Sequence, residues 1–291
     1  VNKMRSRFSH RAAGVPGTVA GLALALEKHG TISLKEALAP AIKLAEEGFI
    51  VTPRFVNGIK ARKKLLSYFP STCKIFFKAD GGFYEVGDRF IQKDLAKTLK
   101  RISENGIKGF YEGKTAKLIA KQMKENQGLI TKKDLKAYKA IVRQPIHGTY
   151  RGHDVYSMSP PSSGGVHIIQ MLNMLEEFPV QKYGHNSAQS IHLMSEVMKR
   201  AYADRAHYLG DTDFVKVPIK GLISKAYAKE LKAKIDLSKA TPSKEISHGK
   251  PAPYESNETT HFSIADKFGN AVSNTYTLNF SYGSHIVVEG T

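Results

Sequence analysis

Over the first two-thirds of the chain, apolar positions recur at helical spacing between clear stop signals. Gly17 to Lys28 (GTVAGLALALEK) carries small and aliphatic residues in a pattern that predicts a helix, ended by Gly30. Ser33 and Glu36 form an S-x-x-E capping box ahead of LKEALAPAIKLAEEG, with Gly48 as the stop, and Pro40 predicts a kink inside it. Thr52 followed by Pro53 opens another helix, and more follow over Gln92 to Asn105 and Lys114 to Asn126. Thr131 and Asp134 begin a short one.

The period then changes. Ile141 to Met158 (IVRQPIHGTYRGHDVYSM) alternates and carries β-branched and aromatic residues around Gly148, which predicts two strands and a turn. The loop Ser159 to Gly165 (SPPSSGG) leads into VHIIQMLNMLEEF, and a long helix begins near Ser187; both are expected to pack on the sheet. From Asp236 to Asn257, three prolines and no sustained period predict an extended or mobile linker. The last segment returns to strands: TTHFSIAD and NAVSNTYTLN flank KFG, where Gly269 supplies the left-handed residue of a three-residue hairpin loop.

Composition narrows the classes. With 291 residues, 41% hydrophobic and 24% charged, the chain can bury a full core as one large domain or two small ones. No stretch approaches the roughly 18 uninterrupted apolar residues of a membrane span, and no signal-like series opens the chain. The first residue is Val1, so the natural N-terminus is expected to lie upstream. Cys73 is the only cysteine, which excludes an intrachain disulfide and a cysteine metal cluster, and its setting in SYFPSTCKIFF suits a small buried filler. The formal charge of +18 raises nucleic-acid binding. Distribution argues against it: from Lys93 to Glu125 lysines alternate with Asp94, Glu104, Glu112 and Glu125, the pattern of a solvated helix face. Between Thr259 and Thr291 the only charged residues are Asp266, Lys267 and Glu289, so the positive excess precedes Thr259 and is free to steer anionic substrates.

The hairpin places chemistry by register. If Lys267, Phe268 and Gly269 form the loop, Asp266 faces Asn270, and counting outward pairs Ser263 with Ser273, His261 with Thr275, and Thr259 with Thr277. Directly opposed residues lie ~4.5 to 5.5 Å apart, so the two hydroxyls can meet, and Asn279 has the same parity. A threonine hydroxyl attacks only when a base takes its proton; a free α-amino group on the same residue can do so, titrating near ~7.7 to 8.0. That amine would exist only after cleavage before Thr259, where an accessible linker ending in ESNE meets a rigid strand. Taken alone, the pattern favours an ordinary threonine-rich hairpin, since threonine is a good strand former and threonine pairs stabilise sheets.

Residues Glu255 to Ser284, ESNETTHFSIADKFGNAVSNTYTLNFSYGS, resemble the processing and active-site segment of gamma-glutamyltranspeptidases. AGVPGTVAGL (Ala13 to Leu22), GLITKKDLKAY (Gly128 to Tyr138), PPSSGGVHI (Pro160 to Ile168) and AYADRAHYLGDTDF (Ala201 to Phe214) extend the likeness through essentially the whole chain, nearest to bacterial members. The resemblance implies an α+β, N-terminal-nucleophile hydrolase fold, a four-layer αββα sandwich partial at both ends. Residues 1–258 would be a large-subunit portion with 236–257 as processing linker, and 259–291 the start of the small subunit, within one domain. It implies self-cleavage between Glu258 and Thr259 into a heterodimer. Thr259 would then attack glutathione or another γ-glutamyl compound, and the ester would pass to water or to an amino acid or dipeptide acceptor. Thr277 would hydrogen-bond to Thr259, and Asn279 would contact the α-amino end of the γ-glutamyl group. No cofactor, metal, nucleic acid or membrane span is implied, and the location would be periplasmic or secreted.

Some residues depart from the pattern. Asn274 stands where many members have an aliphatic residue and its parity turns it away from the cluster, where an unpaired buried amide would cost ~1 to 3 kcal/mol. Phe262 replaces a common Tyr. The family's carboxylate-binding arginine is expected before Val1, and its paired serines and glycine-rich oxyanion loop after Thr291; each missing oxyanion donor would lower the rate roughly 10² to 10³-fold. Weaker signals carry bland readings. Gly164 and Gly165 suit a tight strand-to-helix connection more than an anion site. GFYEGKT, Gly109 to Thr115, has the wrong spacing for a phosphate loop. Asp204, Asp211 and Asp213 lack metal-site spacing and suit capping or surface roles. His261 would lie ~6.5 to 7 Å along the strand from Thr259, too far to act as its base. The sequons at Asn257 and Asn279 read as chance, since a glycan at either would obstruct the site. Competing classes are a related acylase or poly-γ-glutamate-processing enzyme, and an inactive paralogue or basic binding protein.

Overall fold

The computed structural model describes residues 6–251, 260–278 and 281–291, with the side chains of 260–262 outside the description. The chain divides into two compact units, Val1–Ile141 with Tyr276–Thr291, and Val142–Thr275.

In the first unit helices start where side chains satisfy the free amides of the first turn. Helix α1 spans Thr18–His29 and stops at Gly30. Helix α2, Leu34–Glu47, carries the full capping box: Ser33 Oγ accepts from Glu36 N at 3.2 Å and the Glu36 carboxylate from Ser33 N at 2.8 Å. Pro40 stands inside α2 without ending it. Gly48, at φ 81°, turns the chain into strand β1 (Phe49–Ile50), and Thr52 then caps α3 (Pro53–Leu66). Helix α4 (Pro70–Phe76) and strand β2 (Arg89–Phe90) follow, β2 pairing antiparallel with β1 through Phe49 and Phe90. Neither strand has a sequence signature, because two residues show no period. Cys73 is half-buried in α4, its thiol directed at the Leu66 carbonyl, the filler role expected of it. Helices α5 (Lys93–Asn105), α6 (Lys108–Tyr111), α7 (Gly113–Glu125) and α8 (Lys132–Ala137) complete this part, α8 opening on a second capping box from Thr131 and Asp134.

Two kinds of contact hold this unit. Phe90 is buried among Phe49, Phe55, Phe76 and Tyr84, with ring centroids 4.8 to 5.8 Å away. Tyr111 ties down α1, its hydroxyl donating to the Pro16 carbonyl at 2.6 Å and accepting from Ala20 N at 3.2 Å.

The second unit begins with β3 (Ile146–Tyr150) and β4 (His153–Ser157), antiparallel with Tyr150 opposite His153. The turn is not at Gly148, where the alternation placed it. Arg151 (φ 51°) and Gly152 (φ 83°) make the two-residue turn, both in the left-handed region that this class of hairpin needs. Gly148 lies within β3, where a Cβ would come 2.5 Å from Ile169, so its role is to admit a helix rather than to reverse the chain. That helix is α9 (Gly164–Leu175), followed by α10 (Val180–Tyr183) and α11 (Ala188–Tyr208, capped by Ser187). Helix α9 packs on β3 and β4 as expected, whereas α11 packs chiefly on α9. Two strands ~4.8 Å apart offer a face about as wide as one helix, ~10 Å, so the second helix stacks on the first. Helices α12 (Ile219–Leu222) and α13 (Lys225–Lys232), a 3-10 turn at Ser243–Glu245 and strands β5 (Thr260–Ala265) and β6 (Ala271–Tyr276) follow. The core gathers Val166, Ile169, Met174, Leu193, Val197, Leu222 and Leu231. Helices with two-stranded antiparallel ladders bear out the α+β class. No described helix is long and apolar enough to cross a membrane.

Candidate functional site

The terminal hairpin forms with the loop that its sequence predicts. Asp266 N donates to Asn270 O at 3.0 Å, and Gly269 adopts φ 85°. Asp266 closes the loop with its carboxylate, accepting from Phe268 N at 2.8 Å, Asn270 N at 3.0 Å and Asn270 Nδ2 at 2.9 Å. The Asn270 side chain first, then the two backbone amides, hold that carboxyl below its usual range against the opposing effect of burial. Beyond that pair, β5 and β6 are neighbours in one two-stranded sheet.

Of the expected site residues, Thr277 is described. It follows the end of β6, is exposed, and lines a cavity of about 700 Å³ together with Arg7, Val15, Gly17, Phe110 and Val287. Glu258, Thr259 and Asn279 lie outside the described residues, as do Asn257 and the side chains of His261 and Phe262. Asn274 behaves as its parity suggested: its Oδ1 is buried without a hydrogen-bond partner among the described residues.

From Asp236 to Pro251, where its description ends, the linker is tied down by side chains of α11. Thr241 N donates to Glu196 Oε1 at 2.9 Å, and Lys199 Nζ donates to the Thr241 carbonyl at 2.6 Å. Further on, Gly249 N donates to Asp204 Oδ1 at 2.8 Å while Tyr208 OH donates to the Gly249 carbonyl at 2.6 Å. Asp204 is fully buried, and its Oδ2 accepts from Gln170 Nε2 at 2.6 Å and Tyr227 OH at 2.8 Å. This corrects the capping or surface role expected of Asp204. Burial raises the Tyr208 and Tyr227 hydroxyls above the ordinary phenol value; the hydrogen bond to Asp204 adds to this for Tyr227, and the Asp204 charge adds to it for both. The available signal was the i, i+4 spacing of Asp204 and Tyr208 on α11 with a glycine downstream, which says nothing until the chain folds back.

The remaining signals take structural places. Asp211 and Asp213 face Arg143, at 3.6 and 2.7 Å. Gly165 lets α9 start against β4, since a Cβ there would come 2.2 Å from Met158 O. Gly109 and Thr115 pack the α6–α7 connection, Thr115 Oγ1 donating to Gly109 O at 2.8 Å. Among the described residues no group of His, Cys, Asp and Glu could hold a metal ion.

Comparison with known proteins places the whole chain. The family model described as gamma-glutamyltranspeptidase matches residues 2–291. The glutathione hydrolase proenzyme of Escherichia coli K12 is 53% identical over 284 residues, 97% of this chain and 49% of that protein. The glutathione hydrolase proenzyme of Pseudomonas sp. strain A14 is 43% identical over 291 residues, 100% of this chain and 50% of that protein. The crystal structure of Helicobacter pylori gamma-glutamyltranspeptidase superposes with a TM-score of 0.84 at 46% identity, covering 89% of this chain and 74% of that one. The fold is therefore the α+β class of the N-terminal-nucleophile hydrolases. The chain spans about half the length of the curated relatives it matches.

Proposed function

This chain belongs to the gamma-glutamyltranspeptidase family, and from that premise we propose that it is the part of a self-cleaving gamma-glutamyl transferase and glutathione hydrolase that carries the nucleophile. The observation that supports this most directly is the closed hairpin loop, Asp266 opposite Asn270, whose register leads to Thr259 opposite Thr277. In the precursor, Thr259 Oγ attacks the Glu258 carbonyl carbon. The amide C–N bond breaks, the hydroxyl proton ends on the new α-amine, and an ester remains. Water then hydrolyses the ester, releasing the Glu258 carboxylate and returning the hydroxyl of Thr259 beside its α-amine. Residues 1–258 become part of a large subunit and 259–291 the start of a small one, which stay together as a heterodimer.

In the mature protein the neutral amine of Thr259 takes the hydroxyl proton as the oxygen attacks a γ-glutamyl amide. The leaving amine, such as cysteinylglycine from glutathione, accepts a proton and departs. The γ-glutamyl ester then passes to water or to the amine of an amino acid or dipeptide. Thr277 orients the Thr259 hydroxyl, and Asn279 holds the α-amino end of the donor. The substrate comes from outside the cytoplasm, in the periplasm or the medium.

Intact mass and N-terminal analysis of the full-length natural protein test this: two polypeptides are expected, the smaller beginning at Thr259. Thr259→Ala should remain one chain, and cleavage of that variant at the same bond would sink the assignment. The processed protein should release the chromophore of a γ-glutamyl anilide, faster with glycylglycine present. Correct processing without such release would turn the reading toward an acylase.

A further inference from the structure

Asp204 and Tyr208 stand one turn apart on α11 and hold both backbone polar groups of the same linker residue, the N–H and the C=O of Gly249. Two opposite contacts from one helix face set the direction of the strand as well as its place. The site is built for that residue. The Tyr227 hydroxyl, donating to Asp204, occupies the space where a Cβ on Gly249 would come within 2.0 Å, so only glycine fits. On the other side His248 stacks on His207 at 3.5 Å, and Pro251 is buried. A buried carboxylate is unfavourable unless donors surround it, and one of the three on Asp204 is the linker's own amide.

We infer that this clamp on Gly249 sets the tether of the Glu258–Thr259 bond for self-cleavage, making Asp204 and Tyr208 positioning residues for processing and not for acyl transfer. The inference rests on the reading that this bond is the one cleaved. Pro251 stands eight residues before Thr259, so the bond cannot lie beyond roughly 26 to 29 Å of extended chain from it. Were the clamp to open, the next tie would be Thr241, eighteen residues before Thr259. The entropic cost of holding that segment in one path grows as about (3/2)RT ln n, so lengthening it from the ten residues after Gly249 to eighteen makes the ordered arrangement roughly twofold rarer. After cleavage the tether no longer joins Thr259, so turnover does not depend on it.

The experiment follows precursor conversion by intact mass in the full-length natural protein and in Tyr208→Phe, Gly249→Ala and Asp204→Asn. Tyr208→Phe and Gly249→Ala are expected to slow conversion about twofold or more. Asp204→Asn should convert at close to the natural rate, because its amide oxygen still accepts from Gly249 N and Gln170 can turn its Oε1, which has no partner among the described residues, toward the new NH₂. The kcat and KM of each processed fraction should match the natural protein. Phe178→Leu, a change in the same core that touches none of the clamp's hydrogen bonds, controls for lost stability. Wild-type conversion rates in Tyr208→Phe and Gly249→Ala would overturn the inference. So would slowing that merely tracks melting temperature across all variants including Phe178→Leu, or a fall in kcat of the processed protein. Absence of cleavage in the natural protein itself would instead overturn the functional reading beneath it.

Discussion

Two buried neighbourhoods, one in each unit, stabilise the chain by opposite means. Around Phe90 the contacts are rings and aliphatic chains, non-directional, and they let a ladder of two residues per strand persist. Around Glu196 they are charged and directional. The fully buried Glu196 carboxylate accepts from Arg200 at 2.6 Å and from Lys199, and Arg200 also donates to the Lys234 carbonyl. The difference lies in what each must hold. Regular elements bury apolar faces, while the described backbone from the end of α13 to Pro251 has no ladder to satisfy its amides and carbonyls, so α11 supplies side-chain partners for Thr241 and Gly249.

The contrast can be tested through stability. Phe90→Ala should lower unfolding free energy by ~3 to 5 kcal/mol, with the same deficit at pH 7 and pH 3, read from denaturant midpoints. Glu196→Gln should cost about 3 kcal/mol at neutral pH by leaving Arg200 and Lys199 without a carboxylate. Burial pushes the Glu196 carboxyl up, but hydrogen bonds from Lys199, Arg200 and Thr241 outweigh it and hold the pKa at about 2, below the ordinary 4.5. Its stabilisation is therefore complete above pH 4.5 and disappears as pH falls through about 2, so the Glu196→Gln deficit should shrink over that window while the Phe90→Ala deficit does not. Equal pH profiles for the two would break the contrast. An earlier step belongs to both units, because burial lowers His10 and His285 in the first and, with Arg205 nearby, His167 to about 4 in the second. For His167 the stability present above pH 6.5 is lost as pH falls through about 4. The smallest effect has the opposite sign: Asn274→Val removes a buried unpaired oxygen from β6 and should raise stability by ~1 kcal/mol, seen as a higher melting temperature.

Legibility followed the range of the interaction. Capping boxes at Ser33 and Thr131 and the Asp266–Gly269 loop are closed within four residues, and all three form as their sequences indicate. The Ile141 to Met158 segment was legible as a hairpin but not in its turn, because two glycines compete and only the packing of Ile169 against Gly148 separates them. Asp204 was misread because its partners, Gln170, Tyr227 and Gly249, are 23 to 45 residues away.

By itself the amino-acid sequence determined where helices start and how the terminal hairpin closes at Asp266 and Asn270. Those outcomes depend on backbone donors and acceptors within a few residues. Only the tertiary structure decided that α11 stacks on α9, that Gly148 is a packing residue, and that Asp204 and Tyr208 grip the linker at Gly249. These depend on which distant surfaces share a buried volume, and there a carboxylate, a phenol and a glycine acquire meaning only from one another.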